Sequence, residues 1–173
     1  MKILGIVVKI VGGTLLALVL LAGVLLAAIS FSQFVPRNYV KTTATGGRLE
    51  ANYLAMGGCR VSRHKAKAEE EAFKEYVVYY PSELSGNEKT YPVVIFVNGT
   101  GVLASKYKTL FQHLASWGFI VAGNEDGGSW DGRSSDQTLD YILRQNEDPD
   151  SLFYQKIDVD RIGISGHSQG GAG

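Results

Sequence analysis

Two runs without a polar residue constrain this chain most: Pro92–Val97 (PVVIFV) and Phe119–Ala122 (FIVA). A strand with one wet face alternates apolar and polar residues. These runs do not alternate, so each is expected to be a strand covered on both faces. Between them, Lys106–Trp117 reads as a helix with Tyr107, Leu110, Phe111 and Leu114 at i, i+3, i+4 and i+7, stopped by Gly118. Ser134 followed by Gln137 fits a capping box, opening a second helix whose inner face is Leu139, Ile142 and Leu143. Arg161–Ser165 (RIGIS) reads as a third core strand, and Glu75–Tyr80 (EYVVYY) as an earlier one stopped by Pro81. The β-α-β-α-β order from Pro92 onward predicts an α/β fold with a mostly parallel, doubly wound sheet and helical crossovers on both faces.

The N-terminus calls for a different solvent. No residue from Ile10 to Val35 is charged. Ile10–Ile29 alone would make a helix about 30 Å long, the thickness of a bilayer's hydrocarbon core. Residues 1–35 are therefore expected to form one transmembrane helix, with residues 10–35 in contact with the membrane. A cleaved signal peptide is the alternative, with Ala28 and Ser30 as small residues before a cut at Phe31; signal-peptide apolar regions usually run only about 7–15 residues. Lys2 and Lys9 on one side and Arg37, Lys41 and Arg48 on the other give the positive-inside rule no clear majority, and a domain outside the cytoplasm, anchored by a single pass or secreted, is the expectation because it also covers the cleaved alternative. Residues 36–74 read as a juxtamembrane linker with some local structure, including a short exposed helix over Lys65–Lys74. Residues 75–173 form the α/β domain.

Charge excludes some functions. Lys+Arg and Asp+Glu both total 17, so the net charge is zero and the chain is no strongly basic nucleic-acid binder. Five of the bases and none of the acids precede Glu50, which leaves the rest at −5. One cysteine, Cys59, excludes an internal disulfide framework and a zinc site of several thiolates. It reads as an ordinary free thiol.

Directly after RIGIS stands Gly166-His167-Ser168-Gln169-Gly170-Gly171, which contains Gly-x-Ser-x-Gly. A serine hydroxyl is a poor nucleophile unless it is exposed, aimed and given a base. A sharp strand-to-helix turn supplies the aim at the cost of strained backbone at the serine. Side chains two positions either side would collide in that turn, and Gly166 and Gly170 remove them. Ser168 is thus the candidate nucleophile. An oxyanion needs donors as well. One is expected from the Gln169 N–H, and the other from the loop after an earlier central strand, here Asn98-Gly99-Thr100-Gly101. Thr100 N–H is the preferred second donor and Gly99 N–H the near alternative.

These residues, together with Tyr91–Phe96 and His113–Val121 (HLASWGFIV), carry a family resemblance. From about Tyr76 to Gly173 the chain resembles the first half of an α/β-hydrolase. Within that superfamily it is most similar to the dienelactone-hydrolase, chlorophyllase and cutinase/polyester-hydrolase groups. The resemblance implies a serine esterase acting on a small-molecule carboxylic ester, with Ser168 as nucleophile and no metal or organic cofactor. The chain departs from the family pattern at Asn98, where His or Pro is commoner.

Trp130, in the loop Asn124–Gly132, either lines a substrate cleft or is an ordinary loop aromatic. Glu147, Asp148, Asp150, Asp158 and Asp160 lack the alternation and glycine of a calcium loop, so turn and cap roles are expected of them. The rival function is dinucleotide binding: Gly99-x-Gly101-x-x-Ala104 follows a strand, and Glu125 and Asp126 stand near the place of a ribose-binding acid. Against it, a strand precedes the supposed first strand, and the later elbow has no role. A non-catalytic membrane-anchored module is the third reading.

The family places its acid and histidine after the serine, where only Gln169–Gly173 stand. His64 falls in the polar N-terminal region, His113 on the outer side of its helix, and His167 beside the serine in a turn that splays neighbouring side chains. None is expected to be the general base. The chain thus reads as a fragment truncated after the elbow. A central strand left uncovered exposes apolar faces and unpaired backbone. The purified 173-residue chain is expected to fold poorly and to show no triad-dependent hydrolysis of a short-chain ester; turnover at ordinary esterase rates by a monomer would contradict this.

Overall fold

Lys2–Phe31 is a single helix, α1. The computed structural model describes residues 2–172; Met1 and Gly173, the outer ends of the expected membrane and α/β segments, lie outside them. The chain divides into two units between Ser32 and Gln33. In the first, Lys9–Phe31 has a mean hydropathy of 2.6, long and apolar enough to cross a membrane. The Thr14 hydroxyl donates to the Ile10 carbonyl at 2.9 Å, so its polar group is satisfied within the helix.

The second unit opens with two short helices, α2 (Tyr39–Thr42) and α3 (Arg48–Leu54). Its sheet has five strands: β1 (Val61–Lys67), β2 (Glu75–Pro81), β3 (Tyr91–Val97), β4 (Ile120–Asn124) and β5 (Ile157–Gly166). They lie in the order β1-β2-β4-β3-β5. The three strands expected to be parallel are so, β3 pairing with β4 on one side and β5 on the other. The sheet as a whole is mixed rather than mostly parallel, because β2 runs antiparallel to both β1 and β4.

Two helices cover opposite faces: α4 (Lys108–Ser116) and α5 (Arg133–Glu147). Side chains alternate along β2, so Tyr76 and Val78 join Tyr141 and Ile142 of α5 in one core layer, while Val77 and Tyr79 join Phe111 and Ala115 of α4 in the other. Each large side chain so buried contributes about 1.5–3 kcal/mol. Gly118 follows α4 with φ +95°, a conformation that glycine adopts without strain.

Three local expectations are corrected. Lys65–Lys74 is not a helix. Val61–Lys67 is a strand paired with β2, and a 3-10 turn spans only Glu71–Phe73. Pairing with a preformed strand outweighs the helix propensity of Lys, Ala and Glu, which is worth only tenths of a kcal/mol per residue. Ser134 does not cap α5. The helix starts after Gly132, at φ +78°, and Ser134 is buried in its first turn, donating to Asn124 Oδ1 at 2.9 Å. Asn124 in turn donates to the Ser134 carbonyl and to Thr138 Oγ1, both at 3.0 Å. Finally, the RIGIS run lies in the last strand of the sheet, where Ile164 is 66% exposed because β3 is its one neighbour among the described residues. A shallow apolar groove beside it is lined by Ile95, Leu139, Ile162 and Ile164.

His113 is not simply at the surface either. The N-terminal segment packs over the outer side of α4, a cover that helix periodicity cannot reveal. The Tyr39 hydroxyl hydrogen-bonds His113 Nδ1, and the rings meet edge-on at 5.6 Å. Burial lowers the His113 pKa below its ordinary 6.5. The folded state therefore favours the neutral ring, and its contribution is complete above about pH 6.5 and lost as the pH falls through the lower folded value. Stability to urea should decline on acidification from pH 7.5 to 5, and His113→Gln should flatten that decline; an unchanged slope in the variant would exclude His113 as a contributor.

Candidate active site

Parallel pairing brings Val97, the last residue of β3, into register with Gly166 at the end of β5. The segments leaving the two strands, Asn98–Gly101 and His167–Gly170, therefore emerge side by side. A bond from His167 N–H to the Val97 carbonyl, at 3.1 Å, joins them at the base. Ser168 follows with φ +53°, the left-handed region that a residue bearing a Cβ seldom occupies, and it is exposed. Ser168–Gly171 is a 3-10 turn.

The glycines of the elbow are needed for close approach. A Cβ at Gly166 would lie 2.2 Å from the Gly170 carbonyl oxygen, and one at Gly170 would lie 2.4 Å from that of Asn98. Neither neighbour can yield, because both atoms are backbone. The spacing read in the sequence thus corresponds to two backbone contacts, one within the turn and one between the turn and the β3 loop.

That loop is held by buried hydrogen bonds. Asn98 is 1% exposed, and its Nδ2 donates to the carbonyls of Asn124 at 2.6 Å and Asp126 at 2.8 Å. A proline at this position would have no donor for that double bond. Gly101, at φ +68°, donates its N–H to the Gly127 carbonyl at 2.8 Å. Gly99 donates its N–H to the Tyr107 hydroxyl at 3.1 Å, so the near alternative for the second oxyanion donor is already engaged. The backbone N–H groups of Thr100 and Gln169 have no acceptor among the described residues. The two residues meet through their side chains, Thr100 Oγ1 donating to Gln169 Oε1 at 2.6 Å.

Tyr107 ties the loop to the elbow. Its hydroxyl is 2.9 Å from His167 Nδ1. The phenol oxygen also accepts the Gly99 N–H, so one hydroxyl bridges the loop amide and the imidazole. Burial pushes the Tyr107 pKa above its ordinary 10, which keeps the phenol a neutral donor. Nothing in the sequence marked this role, because Tyr107 stands at an ordinary inward position at the start of α4.

The remaining candidates separate. Trp130 is 67% exposed in the loop after β4. Glu125 is buried and caps the 3-10 turn at Ala104–Tyr107, accepting the Ser105 N–H at 2.9 Å and the Ser105 hydroxyl at 3.0 Å. It is thereby withdrawn from the ribose-binding role that the dinucleotide reading required. Asp148 and Asp158 each accept a backbone N–H two residues on, at 3.0 and 3.2 Å, as turn residues do. His64 lies on β1, edge-on to Phe153 at 5.7 Å, and burial lowers its pKa. A bond to Glu83 and burial raise the Cys59 pKa to about 11, which disfavours the thiolate.

A serine on a sharp turn at the carboxyl end of a parallel strand, flanked by a neighbouring loop with a free amide, is the arrangement of the α/β-hydrolase class. The PET hydrolase-like family model matches residues 43–173, and the chain belongs to that family. It is 30% identical over 108 residues to the cutinases est2 and est1 of Thermobifida alba, covering 60% of this chain and 34% of each relative. To the bis(hydroxyethyl) terephthalate hydrolase of Streptomyces coelicolor it is 32% identical over 101 residues, 56% of this chain and 30% of the relative. The chain thus spans about a third of the length of these relatives.

The Tyr107 hydroxyl can be tested alone. Tyr107→Phe leaves the Gly99 N–H and His167 Nδ1 unpartnered, which should cost about 1–3 kcal/mol in denaturant unfolding. A variant as stable as the parent would show that neither group depends on the phenol.

Proposed function

We propose that this chain carries the nucleophile and oxyanion amides of a serine hydrolase acting on carboxylic esters through an acyl-enzyme. The observation that carries the proposal is Ser168 itself. It is a solvent-exposed serine in left-handed backbone, on a turn whose flanking glycines touch backbone and whose next amide is free. Strain of this kind costs about 1–3 kcal/mol and persists where surrounding structure imposes it, often at functional sites.

In the proposed reaction Ser168 Oγ bonds to the ester carbonyl carbon while a general base takes its proton. The carbonyl oxygen becomes an oxyanion and receives hydrogen bonds from the amides of Thr100 and Gln169. The bond to the alcohol oxygen breaks, and the alcohol leaves with the proton. Water attacks the acyl-serine in the same way and releases the acid. The base and its supporting acid are proposed to come from the part of the protein that the relatives have and these 173 residues do not span. None of the three histidines is placed for that work: His167 is bonded to Tyr107, His113 to Tyr39, and His64 packs on Phe153. The proposed substrates are esters of the kind named by the relatives, bis(hydroxyethyl) terephthalate among them, with Trp130 as a candidate for the rim of the cleft. Lys9–Phe31 is proposed to hold the protein in a membrane, with the hydrolase outside the cytoplasm, or to direct its secretion.

In the whole protein, Ser168→Ala should abolish both ester turnover and covalent capture by a fluorophosphonate. Removing one oxyanion donor typically costs only about 10²–10³ in rate, so loss of the nucleophile should be the more severe change. Undiminished hydrolysis by the Ser168 variant would rule the assignment out.

A further inference from the structure

Phe34 stands outside the part of the chain that matches the PET hydrolase-like family, which begins at residue 43. Its backbone N–H donates to the Lys106 carbonyl at 2.8 Å, which fixes this segment against the turn leading into α4. Its ring lies 4.1 Å from that of His167, inclined at 48°, and 5.4 Å from that of Tyr107. His167 immediately precedes Ser168 and leans on the β3 loop so closely that a Cβ on Gly99 would be 2.5 Å from its Nδ1. Phe34 therefore stands over the junction of elbow and loop. It is half exposed (50%), so one side of the ring is held by His167 and Tyr107 and the rest is open.

We infer that Phe34 is a specificity-determining wall of the ester site, contributed by a segment that the family match does not include. The inference rests on the serine-hydrolase reading of Ser168 and adds a contact for the part of the substrate beyond the scissile bond. A flat apolar group fits the chemistry of the place. An aromatic ring offers a face for stacking and large apolar contact at little conformational cost. A small ester reaching only Ser168 and the two amides would not touch it.

The test uses the whole protein and three esters: ethyl acetate, with ethyl benzoate and phenyl acetate placing a ring on the acyl and alcohol sides. Phe34→Ala should raise KM about 3- to 10-fold for at least one of the aromatic esters. It should leave kcat/KM for ethyl acetate and the rate of fluorophosphonate capture at Ser168 unchanged, and Phe34→Tyr should restore the parent KM. Equal losses on all three esters, with slowed capture, would show that Phe34 only supports the elbow and would overturn the inference. So would an Ala variant with unaltered kinetics on every ester. A parent protein whose Ser168 takes no label would remove the hydrolase reading, and this inference with it.

Discussion

The parallel ladder between β3 and β5 sets the position of everything else in the candidate site. Strand spacing in a sheet is nearly invariant at about 4.8 Å, so two strands ending in register deliver their following loops within contact distance. Here the register aligns Val97 with Gly166, and the contacts above it follow: His167 to Val97, Gly170 against Asn98, Thr100 to Gln169. A shift of one residue in that ladder would reverse the sidedness of β5 and carry the serine away from the free amide of Thr100.

Stabilisation of an oxyanion depends on donors that do not reorganise as charge develops. The β3 loop is fixed by four hydrogen bonds from three residues: the Asn98 side-chain amide to the carbonyls of Asn124 and Asp126, the Gly101 N–H to Gly127, and the Gly99 N–H to Tyr107. Thr100, between the last two, is left with a fixed backbone and an unengaged N–H. The commitment of Gly99 to a buried phenol settles which loop amide is free, and it does so by simple accounting of donors and acceptors.

The order of strands and helices from Pro92 onward was legible in the sequence, because runs such as PVVIFV and the Phe111 periodicity report burial directly. The elbow was legible for a steric reason, since glycines at 166 and 170 are what two backbone contacts demand. What could not be read depends on partners distant in sequence. Lys65–Lys67 opens a charged, Ala/Glu-rich run that reads as a helix, and pairing with β2 makes it the end of a strand. Ser134 has the residue type of a cap but serves Asn124 from inside its helix. The bridging of Gly99 and His167 by Tyr107 has no local signature, and the place of Phe34 follows from a contact with a residue 133 positions away, read only once both were in space.

The bond between Thr100 and Gln169 spans 69 positions. Between them lie α4, β4, α5 and β5, and the ladder that unites them is non-local. Contacts of this kind must meet a large loop-closure entropy before they return any energy, which makes them slow to form. The Thr100 amide and the serine therefore become neighbours only when β5 docks on β3. Until then the elbow and the β3 loop remain apart. The contact that joins the two segments is thus a report on the closing of the sheet, since no local element can make it alone.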